Sequence, residues 1–189
     1  MLGFGDRLPF RPRRVVVAGV SGTGKTMLAA RISSVLGAPH TEIDALYHGP
    51  NWTPREEFVE DVRALAQGDS WTTEWQYSSA RPILAERADL VVWLDLPFLS
   101  VTLPRVLRRT MRRRLRREVL WNGNVEPPLR TFFTDREHIL RWAFSTRNRY
   151  SVLISQLHEE HPALLVVRLG TPREVQAWLC GPLARTTRL

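Results

Sequence analysis

The sequence predicts an α/β protein whose parallel sheet is covered by helices on both faces, and three observations predict it. Short apolar runs suited to buried strands alternate with longer segments of helical period. Helix-start signatures recur between them. The first apolar run leads directly into a glycine-rich turn and then a helix, the order of a strand–loop–helix unit.

Taken in order, Val15 to Ala18 is a β-branched run that suits a strand buried on both faces. After Gly19 to Thr26 comes a helix with apolar residues at Leu28, Ile32, Val35 and Leu36, and Gly37 is placed to stop it in a left-handed conformation. His40 to Asp44 predicts a second strand ending in acids. Thr53-Pro54-Arg55-Glu56 predicts a helix start, a capping box with proline at the first helical position. Phe58, Val62 and Leu65 give that helix an apolar face, and Gly68 closes it. Ser70 to Glu74 predicts a third strand and Leu90 to Leu94 a fourth, with a short helix between them near Ile83 to Arg87.

A long helix is expected from about Thr102 to Pro104 through to about Val119, followed by a loop marked by Asn122-Gly123-Asn124 and Pro127-Pro128. Thr134-Asp135-Arg136-Glu137 opens a further helix that reaches past Tyr150. Leu164 to Val167 is the fifth expected strand, and Thr171-Pro172-Arg173-Glu174 caps the last helix, with Gly181 after it. The tetrad Thr-Pro-Arg-Glu thus occurs twice, as two independent helix starts rather than an internal repeat.

At 189 residues the chain is one domain's worth, and its 43% hydrophobic and 24% charged content excludes a mainly disordered protein. One domain is expected over 13–181, with an insert or lid at about 105–150 and mobile tails at 1–12 and 182–189. The one cysteine, Cys180, excludes an intramolecular disulfide or a CxxC cluster and is expected to be a small buried residue. No apolar run approaches the roughly 20 residues that span a bilayer. The first residues, MLGFGDRLPFRPRR, lack the apolar middle of a signal peptide, so a cytoplasmic protein, monomer or homodimer, is expected.

The net charge of +8 has an address. Arg105 to Arg117 holds eight arginines and no acid, and the other 176 residues are balanced. Local anion binding fits that pattern better than coating a nucleic acid, although a nucleotide-dependent nucleic-acid-binding or regulatory protein remains the alternative. All but one of the 27 basic residues are arginine, and the single lysine is Lys25.

Lys25 stands in the strongest motif. Gly19-Val20-Ser21-Gly22-Thr23-Gly24-Lys25-Thr26 matches GxxxxGK[ST] in full, between a strand and a helix as that pattern requires. Its glycines let backbone N–H groups turn toward a phosphate, and the following helix adds its positive dipole end. Lys25 would reach the β- and γ-phosphates of ATP as a compact charge, and Thr26 would offer its hydroxyl to Mg²⁺.

With this motif the chain resembles a P-loop NTPase, and its further spacing resembles the nucleoside- and nucleotide-kinase group, in particular small bacterial adenylate-kinase-like or "topology modulation" proteins. Three further stretches carry the resemblance over about residues 14–180. They are Ile43-Asp44-Ala45-Leu46-Tyr47-His48 with Asn51-Trp52-Thr53, Leu90 to Pro97 with Arg105 to Arg109, and Val167-Arg168-Leu169. The resemblance implies a three-layer sandwich with a five-stranded parallel sheet, order 2-3-1-4-5, and an arginine-rich helical lid. It implies an ATP- and Mg²⁺-dependent phosphotransferase acting on a small-molecule or nucleotide acceptor, or a member that binds ATP and transfers little.

The resemblance also implies roles. Asp44, expected at the carboxyl end of the second strand, would hold the acceptor hydroxyl or act as its base, with Glu42 the weaker candidate. Glu74 replaces the aspartate of an Asp-Gly-Asn-Tyr-like stretch and would hold the metal through water, while Trp75 replaces its glycine and is expected to crowd the phosphate side. Asp95 resembles a metal acid but falls on the fourth strand, so a structural role is expected. Arg105 would pack on the base and Arg109 would reach the phosphates. Arg81 is a further candidate for the acceptor, and the loop Gly170-Thr171-Pro172 for the base. Trp52 and Trp75 are expected near the acceptor pocket. No histidine pair has metal-ligand spacing.

Overall fold

The computed structural model describes residues 1–115, 122 and 149–187. Among these, four parallel strands form one sheet in the order β2-β1-β3-β4: β1 Arg14–Gly19, β2 Trp71–Glu74, β3 Leu90–Leu94 and β4 Leu165–Leu169. The helices are α1 Lys25–Leu36, α2 Ile43–Tyr47, α3 Phe58–Gln67, α4 Arg81–Arg87, α5 Leu103–Leu115, α6 Arg149–Glu160 and α7 Pro172–Trp178.

Strand alternation divides the core in two. Val15, Val17, Val92, Leu94 and Leu169 face α1, whose Leu28, Ala29, Ile32 and Leu36 cover them. Val16, Ala18, Val91 and Val166 face the opposite way, against Phe58, Val62, Leu84 and Ile154. Val15 to Ala18 are wholly buried, as a central strand with helices on both faces must be. Gly37 ends α1 at φ 67°, its N–H bonded to the Ser33 carbonyl.

The expected second strand is shortened to a bridge. His40 pairs with Thr72, supported by Thr72 N–H to the Pro39 carbonyl at 2.8 Å and Thr41 N–H to the Thr72 carbonyl at 3.0 Å. This pairing lies on the side of β2 away from β1, the place that a 2-3-1-4-5 order assigns to it. The chain then turns into α2, because the buried Glu74 carboxylate takes the Ile43 N–H at 2.9 Å and so removes it from any ladder. Asp44 therefore lies in the first turn of a helix, not at the end of a strand.

The two Thr-Pro-Arg-Glu tetrads part ways. Thr171 caps α7, accepting from the Glu174 N–H at 3.2 Å, while the Glu174 carboxylate accepts from the Gly170 N–H at 2.7 Å. At 53–56 there is no helix start, since Pro54 bridges back to His48 and the Arg55 N–H bonds the Tyr47 carbonyl at 2.9 Å. That local hairpin consumes the residues that would have capped, and α3 begins only at Phe58.

Residues 1–12, expected to be a free tail, are tied to the sheet. Leu2 bridges Val167, Leu8 is buried beside α1, and the Arg11 guanidinium bonds the Leu36 carbonyl at 2.7 Å. Leu183 and Thr186 are likewise buried. Cys180 is exposed rather than buried, its sulfur 2.9 Å from the Gln176 amide. The long helix beyond Leu115, the Thr134 helix start and most of the expected 105–150 lid lie outside the described residues.

Candidate functional site

The loop Gly19 to Lys25 is shaped by glycines and by one threonine. Gly19, Gly22 and Gly24 have φ of 151°, 84° and 95°, and Thr23 closes the turn by bonding the Val20 carbonyl through its hydroxyl at 2.8 Å. At Gly22 the requirement is also steric, because a Cβ there would stand 2.1 Å from Val106 Cγ2 of α5. Gly22→Ala is accordingly expected to cost about 2–4 kcal/mol, from left-handed strain plus overpacking. Thermal unfolding measures that loss, and the double variant with Val106→Ala should recover the packing share but not the strain.

Two cavities flank this loop. One, of about 960 Å³, runs from the loop residues and Lys25 to Glu42, Asp44 and Tyr77, with Arg81 and Arg109 on its walls. The other, of about 480 Å³, lies between α1, the ends of β3 and α7, and the arginine face of α5. Arg109 lines both. Arg105 donates to the Thr23 carbonyl at 3.2 Å, which ties α5 to the loop beside the second cavity.

Lys25 is half-buried, and its Nζ lies 3.4 Å from the Val20 carbonyl. Desolvation lowers its pKa from 10.5 to about 8, Asp44 and Glu74 oppose that fall, and Arg109 adds to it. An ammonium held this way gains charge stabilisation when a polyanion arrives.

Glu74 is buried at the end of β2 with Thr26 and His40 close by. Burial works against its charge, yet the His40 imidazole, the Ile43 N–H and the Thr26 hydroxyl together hold its carboxyl below the usual carboxylate range. Oε2 accepts the Ile43 N–H, and Oε1 is buried with no hydrogen-bond partner, the His40 Nε2 standing 3.6 Å away.

Asp44 is held by residues to which the sequence assigned no role. Its Oδ1 accepts from the Gln76 amide and, at 2.6 Å, from the Tyr77 hydroxyl. The Tyr77 oxygen also lies 3.3 Å from His48 Nε2. The Tyr77 ring stacks on Tyr47 with centroids 3.9 Å apart and planes at 18°, and burial, with the Asp44 bond, raises its pKa. Tyr77 and Trp52, which line this cavity, both have φ of 61°, so two non-glycine residues store backbone strain on its wall.

Other expectations are redirected. Trp75 does not line either cavity; its indole is buried under α4 and α6, donating to the Arg81 carbonyl at 3.1 Å, so it does not crowd the phosphate side. Arg81 lines the larger cavity and lies over the Trp75 ring at 5.6 Å. Asp95 accepts both Nε and Nη2 of Arg168, at 2.8 and 2.5 Å. Pro172, of the loop expected to hold a base, lines the smaller cavity. Arg116 and Arg117 lie outside the described residues.

No family model and no curated protein sequence matches the chain. Among solved structures it is similar to a gluconokinase from Sinorhizobium meliloti 1021, at 22% identity and TM-score 0.51 over 95% of this chain and 97% of that one. It is similar to a shikimate kinase from Acinetobacter baumannii in complex with shikimate, at 16% identity and TM-score 0.50 over 93% and 89%. A sugar kinase from Janibacter sp. HTCC2649 matches 51% of this chain and 67% of its own, at 28% identity and TM-score 0.36. The chain thus shares an α/β fold, with a parallel sheet, with the first two enzymes.

Proposed function

We propose that the protein is an ATP-dependent phosphotransferase that moves the γ-phosphoryl group to a small acceptor. The observation that carries this reading is that Gly22 and Gly24 of the loop, with Arg109, line both cavities, while Lys25, Thr26 and Asp44 line the larger one alone. A donor in the smaller cavity would run its phosphates over Gly19 to Thr26 and present the last of them to an acceptor in the larger.

The residues divide the work. Loop N–H groups and the start of α1 hold the phosphate chain, and Lys25 and Arg109 offset the charge that spreads over the γ-phosphoryl oxygens. Asp44, with Oδ1 already committed to Gln76 and Tyr77, keeps Oδ2 for the hydroxyl of the acceptor. Arg105 stacks on or beside the base.

The donor set near the phosphates also fits Mg²⁺. Thr26 and the ionised Glu74, whose Oε1 is buried without a hydrogen-bond partner, supply hard oxygens, and Glu74 would act through a water. No group of three or more acidic, histidine or cysteine ligands occurs among the described residues, which suits an ion held mainly by substrate phosphates and water. Magnesium would neutralise charge on the β- and γ-phosphates.

The test is ADP release from ATP–Mg²⁺ against a panel of nucleosides, nucleotides, sugars and hydroxy acids. Saturable, acceptor-dependent release is expected for at least one of them. Well-folded protein with no magnesium-dependent affinity for any purine triphosphate would end the reading.

A pH dependence follows from Lys25. Bound polyphosphate favours the ammonium and raises its pKa above the free value of about 8, so binding takes up a proton above that pH. Affinity is therefore full below pH 8 and falls as pH rises through it. The Kd for ADP–Mg²⁺ is expected to be about eightfold weaker at pH 9 than at pH 7.5, measured by calorimetry.

A further inference from the structure

Resting on the nucleotide reading above, we propose that the smaller cavity takes a nucleotide that carries a phosphate ester on its ribose in addition to its 5′ phosphates. Its wall has the apolar character a base needs, from Leu94 and Leu96 at the end of β3 and Val175 on α7. Around that wall stand Arg31 of α1 and Arg105, Arg108, Arg109 and Arg112 of α5, and among the described residues no aspartate or glutamate lines the cavity. The four on α5 share one helix face by their spacing.

Elsewhere in the fold, several arginines meet carboxylates. Arg14 pairs with Asp89 at 2.6 Å, Arg55 with Asp61 at 3.0 Å and Arg168 with Asp95 at 2.5 Å. In this cavity two of the arginines meet neutral partners. Arg31 donates to the Gln176 amide oxygen at 2.6 Å and Arg105 to the Thr23 carbonyl, while Arg108 has no ion pair among the described residues.

A plain triphosphate does not answer this charge. Its base and ribose are uncharged, and its 5′ chain leaves along the loop toward Lys25 and Arg109. Arg31 and Arg108 remain, both exposed and lining the cavity from two different helices, and an anion between them would offset their mutual repulsion. A guanidinium fork matches a phosphate bidentately, and a phosphate on the 2′ or 3′ oxygen places a dianion beside the base rather than beyond the loop. Such a ligand would compete with the donor, so its natural consequence is control of the enzyme by a ribose-phosphorylated nucleotide.

Calorimetry on the intact chain tests this in two stages. ADP–Mg²⁺ is titrated first, and its binding establishes the nucleotide site. Adenosine 5′-phosphate is then compared with adenosine 2′,5′- and 3′,5′-bisphosphates, and with adenosine 5′-phosphate plus millimolar inorganic phosphate. At least one bisphosphate is expected to bind tenfold or more tightly than the monophosphate and to be displaced by ADP. In Arg31→Gln and Arg108→Gln that ratio should fall toward one. Equal affinities for mono- and bisphosphates, with ADP bound, would overturn the proposal and leave the kinase reading standing. Tightening by inorganic phosphate alone would overturn the ester assignment, and absence of any ADP binding would remove both.

Discussion

Lys25→Met is expected to lower phosphoryl transfer on the order of a thousandfold or more while leaving the ligand-free protein as stable as before, or more so. The two halves have one cause. Desolvation has already pulled the ammonium down to a pKa of about 8, so the folded protein holds this charge at a cost that an apolar side chain of similar length does not incur. The gain is at most about 3 kcal/mol, and less because the side chain is only half-buried and water screens it. With nucleotide bound the balance reverses, since the same charge then faces phosphate oxygens. Thermal unfolding with and without ADP–Mg²⁺ checks both halves: an unchanged or raised Tm alone, and little ligand-induced rise. A large loss of Tm in the ligand-free variant would show that Lys25 is chiefly structural.

The parts of the site that were legible in the sequence are those whose geometry is local. GxxxxGK[ST] specifies a turn through its glycines, and the positive φ values of Gly19 and Gly24 are the physical content of that pattern. The sheet was legible because Val15 to Ala18 and Leu90 to Leu94 are apolar throughout, as strands covered on both faces must be. Tyr77 was not legible as an Asp44 partner. It sits in a left-handed turn without glycine or asparagine to announce it, and its partner is 33 residues away. Trp75 was misplaced for a simpler reason. A substitution for glycine reads as crowding, but alternation along β2 sends its side chain with Trp71 into the core. The tetrad at 53–56 shows the limit of local chemistry, since the same four residues cap a helix at 171–174 and yield to a hairpin at 48–54. Leu2 and Leu8 escaped because only their distant partners, Val167 and the α1 face, give them a place.

Asp44→Asn is expected to reduce transfer by about 10²–10⁴-fold, the range for losing a group that moves or holds a proton. The fold should survive, because the asparagine oxygen can still accept from Tyr77 or Gln76 in place of Oδ1. The substitution also has an electrostatic signature at Lys25. Asp44 raises the Lys25 pKa, so neutralising it lets that pKa fall below about 8. The pH at which ADP–Mg²⁺ affinity begins to decline should therefore move down, with binding at pH 7 changed little and binding at pH 8 weakened more. Tyr77→Phe keeps the stack on Tyr47 and the charge on Asp44 but removes one of the two donors to Oδ1. It should leave the pH profile of nucleotide binding in place and slow transfer about tenfold, through a carboxylate less firmly aimed. If Asp44→Asn slowed transfer no more than Tyr77→Phe, and moved no pH profile, Asp44 would be a brace for the turn after β2 and the acceptor's base would have to be sought among Glu42 and His48.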